Sequence, residues 1–367
     1  MNTKKLIAML LAILMLAGVL SGCGGSSKPA EAPAQTDGAP TSNGEPAPAA
    51  TASTAFEKDR YLVCTATPET SALYSYYVGL TKALSTKWPT LHFTVSEVTG
   101  AVDSTKRIRT GDADMGNTMD NCVYESFTGT GSFEGDSNPD TRIMWYYNNT
   151  PVQIVVTKES GVKTLSDLSG KKFNPGATGT GVATLMNGII ELFGLDVDLY
   201  AASQADAADA VTSRQIIGTA KTGSVGDSYI TQIAASIDID IISMSQEEID
   251  AICEKYPYLG VTTIPAGVYK GVDHEVHTVF SACAVMSMKD MFTQEEVYLM
   301  WKALQGEDEI KAVWTAACSQ DIANTDMEQL TLDCAVTPLH PGTVQYLVEM
   351  GYTVPEEIIP PEYVPVN

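Results

Sequence analysis

Short apolar segments typical of strands alternate with amphipathic helices along most of this chain, and this alternation limits the folds open to it. The clearest helix shows apolar residues at i, i+3 and i+4 spacing: Val182, Leu185, Met186, Ile189, Ile190 and Phe193. Strands that alternate with helices predict an α/β fold with a mainly parallel sheet. Two series of such units, each with polar loops at the strand ends, predict two lobes that face a ligand cleft.

The same periodicity predicts the other elements. Strands are expected over residues 61–64, 92–98, 113–116, 143–147, 152–157, 216–221 and 276–286. Helices are expected over residues 73–84, 102–109, 165–168, 207–213, 246–256, 297–304 and 341–350. Pro151 separates two of the predicted strands, and residues 293–296 have the sequence of a capping box.

The charge of the chain argues against several classes of partner. Asp and Glu number 45 against 22 Lys and Arg, which gives a formal net charge of −23. Nucleic-acid-binding domains and basic membrane-surface patches both need clustered Lys and Arg. Hydrophobic residues make up 44% of the chain and charged residues 18%, so the body can bury sizeable cores.

The N-terminus has the pattern of a bacterial lipoprotein signal. Lys4 and Lys5 precede an apolar stretch from Leu6 to Val19, which is shorter than the ~20 residues that a membrane span needs. The stretch ends in a lipobox-like Leu-Ser-Gly-Cys, so we expect residues 1–22 to be removed and Cys23 to carry the lipid. An ordinary secretory signal that contains a cysteine is the alternative. Residues 23–58 are rich in Gly, Ser, Pro and Ala, which predicts a flexible linker.

Six further cysteines occur in the body: Cys64, Cys122, Cys253, Cys283, Cys318 and Cys334. None has C-x-x-C spacing, so a zinc site is disfavoured and no metal is expected. Most are interpreted as small buried hydrophobic residues, as Cys253 is on its apolar helix face. Cys318 and Cys334 are the one pair for which a disulfide is worth testing.

A glycine-rich loop, Gly176-Ala-Thr-Gly-Thr-Gly181, lies between a predicted strand and the clearest helix. Its glycines allow close backbone approach, and the helix N-terminus adds roughly half a positive charge. The loop is neither a P-loop nor a dinucleotide fingerprint, because the required residues and spacing are missing. It predicts a site for a carboxylate or phosphate, and a flexible connection is the alternative.

Catalytic motifs are not evident in the sequence. His274 and His277 do not have the spacing of a metalloprotease helix, so they are interpreted as a surface pair. No Gly-x-Ser-x-Gly is present, and His340 before Pro341 is typical of a helix start. We therefore expect no catalytic activity and no cofactor. Tyr74, Tyr76 and Tyr77 are interpreted as core and lobe-surface residues rather than as a stacking platform.

Several segments in order resemble one known family. They are the lipoprotein start, the loop 65–72 before a Tyr-rich helix, Thr99-Gly-Ala-Val102, residues 110–116, the loop 176–181, Thr263-Ile-Pro-Ala-Gly-Val-Tyr269 and Pro338-Leu-His-Pro-Gly342. Their order and spacing over residues 60–352 resemble the TAXI family of TRAP-transporter solute receptors. The family's first ligand loop is usually rich in glycine, whereas residues 66–73 here contain none.

The resemblance implies a type II periplasmic-binding-protein fold that closes on a small organic acid or amino acid. It also implies a TRAP-type transporter as membrane partner, with the receptor held at the extracytoplasmic face of a bacterial membrane by Cys23. Lobe 1 would comprise residues 59–149 and the return strand and helices of 274–367, and lobe 2 residues 150–273. The expected ligand-binding residues are Thr67, Glu69, Thr70, Tyr74, Val102, Asn117, Gly179, Thr180, Gly181, Lys221 and Gly223. We expect a monomer.

Two positions carry an expectation about the ligand. Lys221 ends a predicted strand, where it could pair with an anion, and Glu69 could receive an ammonium group. Together they favour a zwitterionic amino acid over a dicarboxylic acid, and a solvent-facing Glu69 is the alternative. Two other functions stay open: an enzyme with the same two-lobed fold, and a lipoprotein that senses a ligand for an envelope partner.

Overall fold

The computed structural model describes residues 55–67, 69 and 73–366. The signal, the lipobox with Cys23, nearly all of the predicted linker, and Thr70 lie outside the described residues. No helix in the described part of the chain is long and apolar enough to cross a membrane.

Strands and helices alternate through the first two thirds of the body, as predicted. The strands are β1 (Arg60–Ala66), β2 (Leu91–Glu97), β3 (Met115–Met119), β4 (Thr141–Thr157), β5 (Lys172–Phe173), β6 (Asp198–Leu199), β7 (Gly218–Thr222), β8 (Ile239–Ile241), β9 (Gly260–Ile264) and β10 (Val276–Met288). The helices are α1 (Tyr74–Lys87), α2 (Ala101–Thr110), α3 (Asp120–Thr128), α4 (Gly181–Leu192), α5 (Gln204–Thr212), α6 (Ser228–Ser236), α7 (Gln246–Lys255), α8 (Gln294–Gly306), α9 (Asp308–Thr315), α10 (Gln320–Ala323), α11 (Met327–Cys334) and α12 (Pro341–Glu349).

The large sheet is mixed, so the expectation of a mainly parallel sheet is wrong. Its strands follow the order β2-β1-β3-β10-β4-β7, with β8 on β4 and β9 on β10. The strand β1 is parallel to β2 and β3. In contrast, β10 is antiparallel to β3, β4 and β9, and β4 is antiparallel to β7 and β8. The reason is that β4 and β10 are long return strands that run in opposite directions through both parts of the sheet.

The two strands predicted on either side of Pro151 are one continuous strand of 17 residues. The pairing of β4 with β10 extends as far as Pro151, and its pairing with β7 begins at Val152. Proline lacks a backbone N–H, so it is tolerated in a strand where ladder pairing changes. Pro151 lies at that change, which is why it does not end the strand.

Two groups of side chains form separate cores, and we call them the two lobes. The first lobe is built around a cluster drawn from residues 56–147 and 280–358. The second lobe is built around two clusters drawn from residues 152–279. The α/β, two-lobed architecture expected from the sequence is therefore confirmed, and β4 and β10 connect the lobes.

Aromatic residues of α1 and β4 fill the centre of the first lobe. The rings of Tyr76 and Tyr147 stack at 3.8 Å, and Trp145 donates a hydrogen bond from Nε1 to the Tyr76 hydroxyl. Tyr77 shares a hydroxyl hydrogen bond with Tyr147 and donates to Asn117 Oδ1. The interpretation of Tyr76 and Tyr77 as core residues is confirmed.

Each of the six cysteines of the body is free, so Cys318 and Cys334 do not form a disulfide. Burial raises the pKa of the Cys64 thiol to about 12, that of Cys122 to about 12 and that of Cys318 to about 11. At neutral pH these thiols are protonated and act as apolar core groups.

The histidines take structural and surface positions. His340 is the N-cap of α12, and its Nδ1 accepts a hydrogen bond from the Gly342 N–H, as a helix start predicts. His274 and His277 are exposed and contact different partners, Asp240 and Thr263. Within the described residues, no group of His, Cys, Asp or Glu side chains could hold a metal ion.

Candidate ligand-binding site

A cavity of about 480 Å³ lies between the two lobes, beside the return strand β10. From the first lobe it is lined by Val102, Met119, Asn121, Glu125 and Ser132. From the second lobe the residues that determine its chemistry are Asn174, Gly179, Thr180, Gly181, Lys221 and Tyr258. Its volume falls in the range of sites for small organic molecules, roughly 300–1,000 Å³.

The N-terminus of α4 forms the most polar part of the second-lobe wall. Thr180 is the N-cap, and its hydroxyl accepts a hydrogen bond from the Ala183 N–H. The N–H groups of Gly181 and Val182 have no acceptor among the described residues, although both residues line the cavity. Two free donors and the helix dipole make this end of the cavity suited to an anion.

The loop before α4 is held in place by Asn174, which sequence reasoning missed. This residue is buried at the end of β5, and its Oδ1 accepts a 2.6 Å hydrogen bond from the Gly176 N–H. Its Nδ2 donates to the Ala202 carbonyl. Gly176 has a φ of +118°, and a Cβ there would lie 2.7 Å from Val182 Cγ1. The loop therefore requires glycine at this position, and Asn174 fixes its geometry.

Lys221 lies near the end of β7 and is the one cation among the described residues that line the cavity. Its Nζ is 3.5 Å from Asp227 Oδ2, and the two side chains are only 17% and 15% exposed. Asp227 also caps α6 by accepting hydrogen bonds from the N–H groups of Tyr229 and Ile230. The Asp227 carboxylate is therefore shared among several donors. The Lys221 ammonium group still has N–H donors that can bond a ligand.

Two tyrosines in the turn before β9 form an aromatic wall. Tyr256 packs so closely on α4 that a Cβ at Gly188 would lie 1.9 Å from its hydroxyl oxygen. Tyr258 reaches the first lobe, where its ring centroid is 5.6 Å from that of Tyr124. Burial raises the pKa of Tyr258, so its hydroxyl is neutral and can donate a hydrogen bond. This ring contact joins the lobes at the edge of the cavity.

On the first lobe, α3 brings one carboxyl group to the cavity and buries a second one beside it. Glu125 lines it and accepts a 2.9 Å hydrogen bond from the Ser132 N–H. Asp120 is fully buried next to the lining residue Asn121, and its Oδ2 accepts a 2.6 Å hydrogen bond from the Ala282 N–H of β10. Burial raises the pKa of Asp120 to about 8, opposed by that bond and by one from the Asn121 N–H.

The cavity contains five of the residues expected from the sequence: Val102, Gly179, Thr180, Gly181 and Lys221. Gly223 lies beside it, where a Cβ would be 2.7 Å from Asp227 Oδ2. Thr67 is half-buried with its Oγ1 unpaired among the described residues, and it is not part of the lining. Thr70, outside the described residues, stays a prediction.

Three other expected residues lie away from the lining. Glu69 is exposed and is not part of the lining. Its position therefore corresponds to the alternative, in which it faces solvent. Tyr74 is half-buried against the core of the first lobe. Asn117 is buried in that core, where its Oδ1 accepts the hydrogen bond from Tyr77. Sequence spacing identified the second-lobe loop and Lys221, and it missed Asn121, Glu125, Asn174 and Tyr258.

Comparison with known proteins gives one family match. The profile of the NMT1-like family matches residues 63–351, which is most of the described body. The alkanesulfonate-binding protein SsuA from Xanthomonas axonopodis pv. citri, solved bound to MOPS, is 13% identical with a TM-score of 0.39, covering 80% of this chain and 91% of its own.

Two further solved structures are similarly distant. The periplasmic sulfonate-binding protein SsuA from Methylobacillus flagellatus KT, of a putative sulfonate ABC transporter, is 16% identical with a TM-score of 0.45, covering 72% of this chain and 75% of its own. The probable amino-acid ABC transporter extracellular-binding protein YtmK from Bacillus subtilis is 14% identical with a TM-score of 0.41, covering 72% and 100%.

Proposed function

The chain belongs to the NMT1-like family, and on that premise we propose that it is an extracytoplasmic solute receptor for a small organic acid or amino acid. The observation that supports this most directly is the cavity between the lobes, which combines a free helix N-terminus with a lysine and an aromatic wall. A site of this kind binds and orients a small anion by hydrogen bonds and charge.

In the proposed complex the ligand carboxylate accepts hydrogen bonds from the Gly181 and Val182 N–H groups. Lys221 supplies a positive charge on the same wall, and Tyr258 covers an apolar part of the ligand. Glu125 takes the place proposed for Glu69, because it is the one acidic side chain among the described lining residues. An amino acid would direct its ammonium group to Glu125, whereas a simple organic acid would leave Glu125 with its Ser132 partner.

Delivery to a TRAP-type transporter is the finer part of the proposal. It rests on the sequence segments that resemble the TAXI family, above all residues 263–269 and 338–342. Attachment of the mature chain through Cys23 would keep the receptor close to a transporter in the membrane. Binding would use its free energy to shift the lobes towards a closed state.

A ligand screen tests the proposal. The protein is heated with and without organic acids, amino acids and matched neutral amides, and hits are measured by calorimetric titration. We expect a carboxylate to raise the melting temperature and its amide not to, because the amide lacks the charge that the α4 end favours. A panel in which no carboxylate binds would contradict the proposal, and turnover of a bound compound would favour the enzyme alternative.

A further inference from the structure

Two tyrosines, one from each lobe, lie against each other at the edge of the ligand cavity. The ring centroids of Tyr124 in α3 and Tyr258 in the turn before β9 are 5.6 Å apart, and the ring planes are tilted by 49°. Aromatic rings attract each other at centroid separations of roughly 4.5–7 Å. Tyr258 lines the cavity and Tyr124 does not, so the pair lies at the cavity margin.

This pair differs from the other side-chain contacts of the molecule because it crosses between the lobes. Within the described residues, each salt bridge joins two residues of the same lobe. No other pair of aromatic rings in the described part of the chain joins one lobe to the other. The chain itself passes between the lobes only along β4 and β10. A ring contact outside these strands therefore biases how often the lobes are together.

The turn that carries Tyr258 is held firmly on the second lobe. Pro257 has a fixed φ, and the Leu259 N–H donates a 3.0 Å hydrogen bond to the Tyr256 carbonyl. Leu259 is buried in the second-lobe core, and its carbonyl accepts a hydrogen bond from Cys253 Sγ. Because the turn is fixed on both sides, Tyr258 loses little further freedom when its ring meets the first lobe.

The helix that receives the ring is anchored on the first lobe. Val123 of α3 is buried in the first-lobe core, and Asp120 at the start of α3 accepts the hydrogen bond from the Ala282 N–H of β10. Burial raises the pKa of Tyr258, and negative charge on Asp120 and Glu125 raises it further, in keeping with a hydroxyl that lies against α3. The ring contact thus joins two rigid parts, one from each lobe.

We propose that Tyr124 and Tyr258 form an aromatic latch that holds the two lobes together over the cavity before any ligand binds. Both residues are half-buried, and a ring pair of this kind shifts a two-state equilibrium about two- to tenfold. The latch therefore favours closed lobes without locking them. A ligand enters while the latch is open and is retained while it is closed, a consequence that rests on the proposed function of the cavity.

The ratio of closed to open molecules tests the latch directly. Double electron–electron resonance measures the distance between the lobes in the ligand-free full-length chain, with spin labels on noncanonical amino acids at the exposed positions Lys82 of α1 and Glu191 of α4. Tyr258→Ala and Tyr124→Ala should each lower the closed-to-open ratio about two- to tenfold. The double alanine variant should lower it no further, because either change removes the whole contact.

Conservative variants separate the latch from a structural role of the tyrosines. Tyr124→Phe/Tyr258→Phe keeps both rings and should keep the wild-type ratio. Tyr258→Leu keeps an apolar side chain in the turn and should lower the ratio as alanine does, so the test does not depend on the folding of one variant. Tyr61→Ala removes a tyrosine that is 80% exposed and outside the ring pair, and it should change nothing.

An unchanged ratio in the Tyr258→Ala and Tyr258→Leu variants would overturn the proposal. A loss in the double phenylalanine variant as large as that in the alanine variants would also overturn it, because the rings would then not be the cause. The measurement uses no ligand, so its failure is distinguishable from failure of the proposed function.

Discussion

At the scale of single residues, the two glycines at the start of α4 give unequal tests of the site. Gly179 has a φ of +84°, so any other residue there strains the backbone. Gly181 has an ordinary φ and lines the cavity, and a Cβ added to it would meet no atom within 4 Å. A side chain at Gly181 can therefore occupy ligand space without distorting the loop.

Replacing Gly181 with Val should weaken binding of a carboxylate ligand strongly. The branched side chain would block approach to the free N–H groups, and losing one charge-assisted bond of about 1.5–3 kcal/mol weakens binding ~10- to 100-fold. Titration calorimetry measures the effect, and the melting temperature should change little. Thr178→Val places the same side chain at an exposed position outside the lining and should bind normally. Equal affinities in the two variants would remove the helix end from the site.

Asp120 should make folding less favourable as pH rises. Its pKa is raised by burial to about 8, so the folded state holds a proton between about pH 4 and 8 that the unfolded state has lost. The free energy of unfolding should therefore fall with rising pH in this window. Denaturant titrations at several pH values should show a shallower fall in Asp120→Asn than in the wild type. Parallel pH profiles would mean that Asp120 is ionised in the folded protein.

At the scale of elements, the start of α12 depends on one neutral imidazole. His340 Nδ1 caps the helix, and its Nε2 bonds the Phe292 carbonyl. A Cβ at Gly342 would lie 2.3 Å from the Gln294 carbonyl oxygen, so α12 and α8 are in backbone contact here. The predicted capping box at the start of α8 is confirmed, with Thr293 and Glu296 bonding each other's backbone N–H.

Acid should destabilise this helix junction through His340. Burial lowers the pKa of His340 to about 4, so between about pH 6.5 and 4 the unfolded state binds a proton that the folded state does not. The free energy of unfolding should therefore fall as pH decreases through this window. His340→Asn keeps a good N-cap and removes the titration, so its unfolding free energy should fall less between pH 6.5 and 4. An equal fall in both proteins would assign the acid sensitivity to other groups.

At the scale of the whole molecule, β4 and β10 connect the lobes, and we expect any hinge between the lobes to lie in these strands. The pairing of β4 changes at residues 151–152, and the β10 register shifts between Cys283 and Ala284. The change in β4 pairing lies between the first core, which ends at Tyr147 on this strand, and the second core, which begins at Val152, so β4 can bend there without disturbing either core. Lobe boundaries at residues 149–150 and 273–274 stay a prediction, which a measurement of motion can test.

Ligand binding should compact the protein. Small-angle scattering should give a smaller radius of gyration with a saturating carboxylate, because the lobes close around it. The Gly181→Val variant at the same concentration is the control and should keep the larger radius. Identical profiles for the free and saturated wild type would indicate a preformed site.

The N-terminal prediction concerns where the molecule resides. Cys23→Ser should move the protein from the membrane fraction to the soluble or secreted one, since serine cannot accept the thioether-linked lipid. Fractionation followed by immunoblotting measures this. A Cys64→Ser variant controls for cysteine loss in the body. Continued pelleting of Cys23→Ser with membranes would place the anchor elsewhere.

Local sequence patterns predict the α/β class, the start of α4 and the second-lobe residues that line the cavity. These features are local: the apolar period of residues 182–193, the glycines of 176–181 and the strand position of Lys221 depend on near neighbours in the chain. The capping box of α8 and the His340 helix start were predictable for the same reason.

The strand directions and the first-lobe half of the cavity depend on contacts between parts of the chain that are far apart in sequence. β4 and β10 pair although they are more than 100 residues apart, and no local sequence pattern predicts that they run antiparallel. Glu125 and Tyr258 face one cavity because α3 and the turn before β9 meet across the lobes. The chemistry of each side chain can be read from the sequence, but which side chains meet in one site depends on long-range contacts.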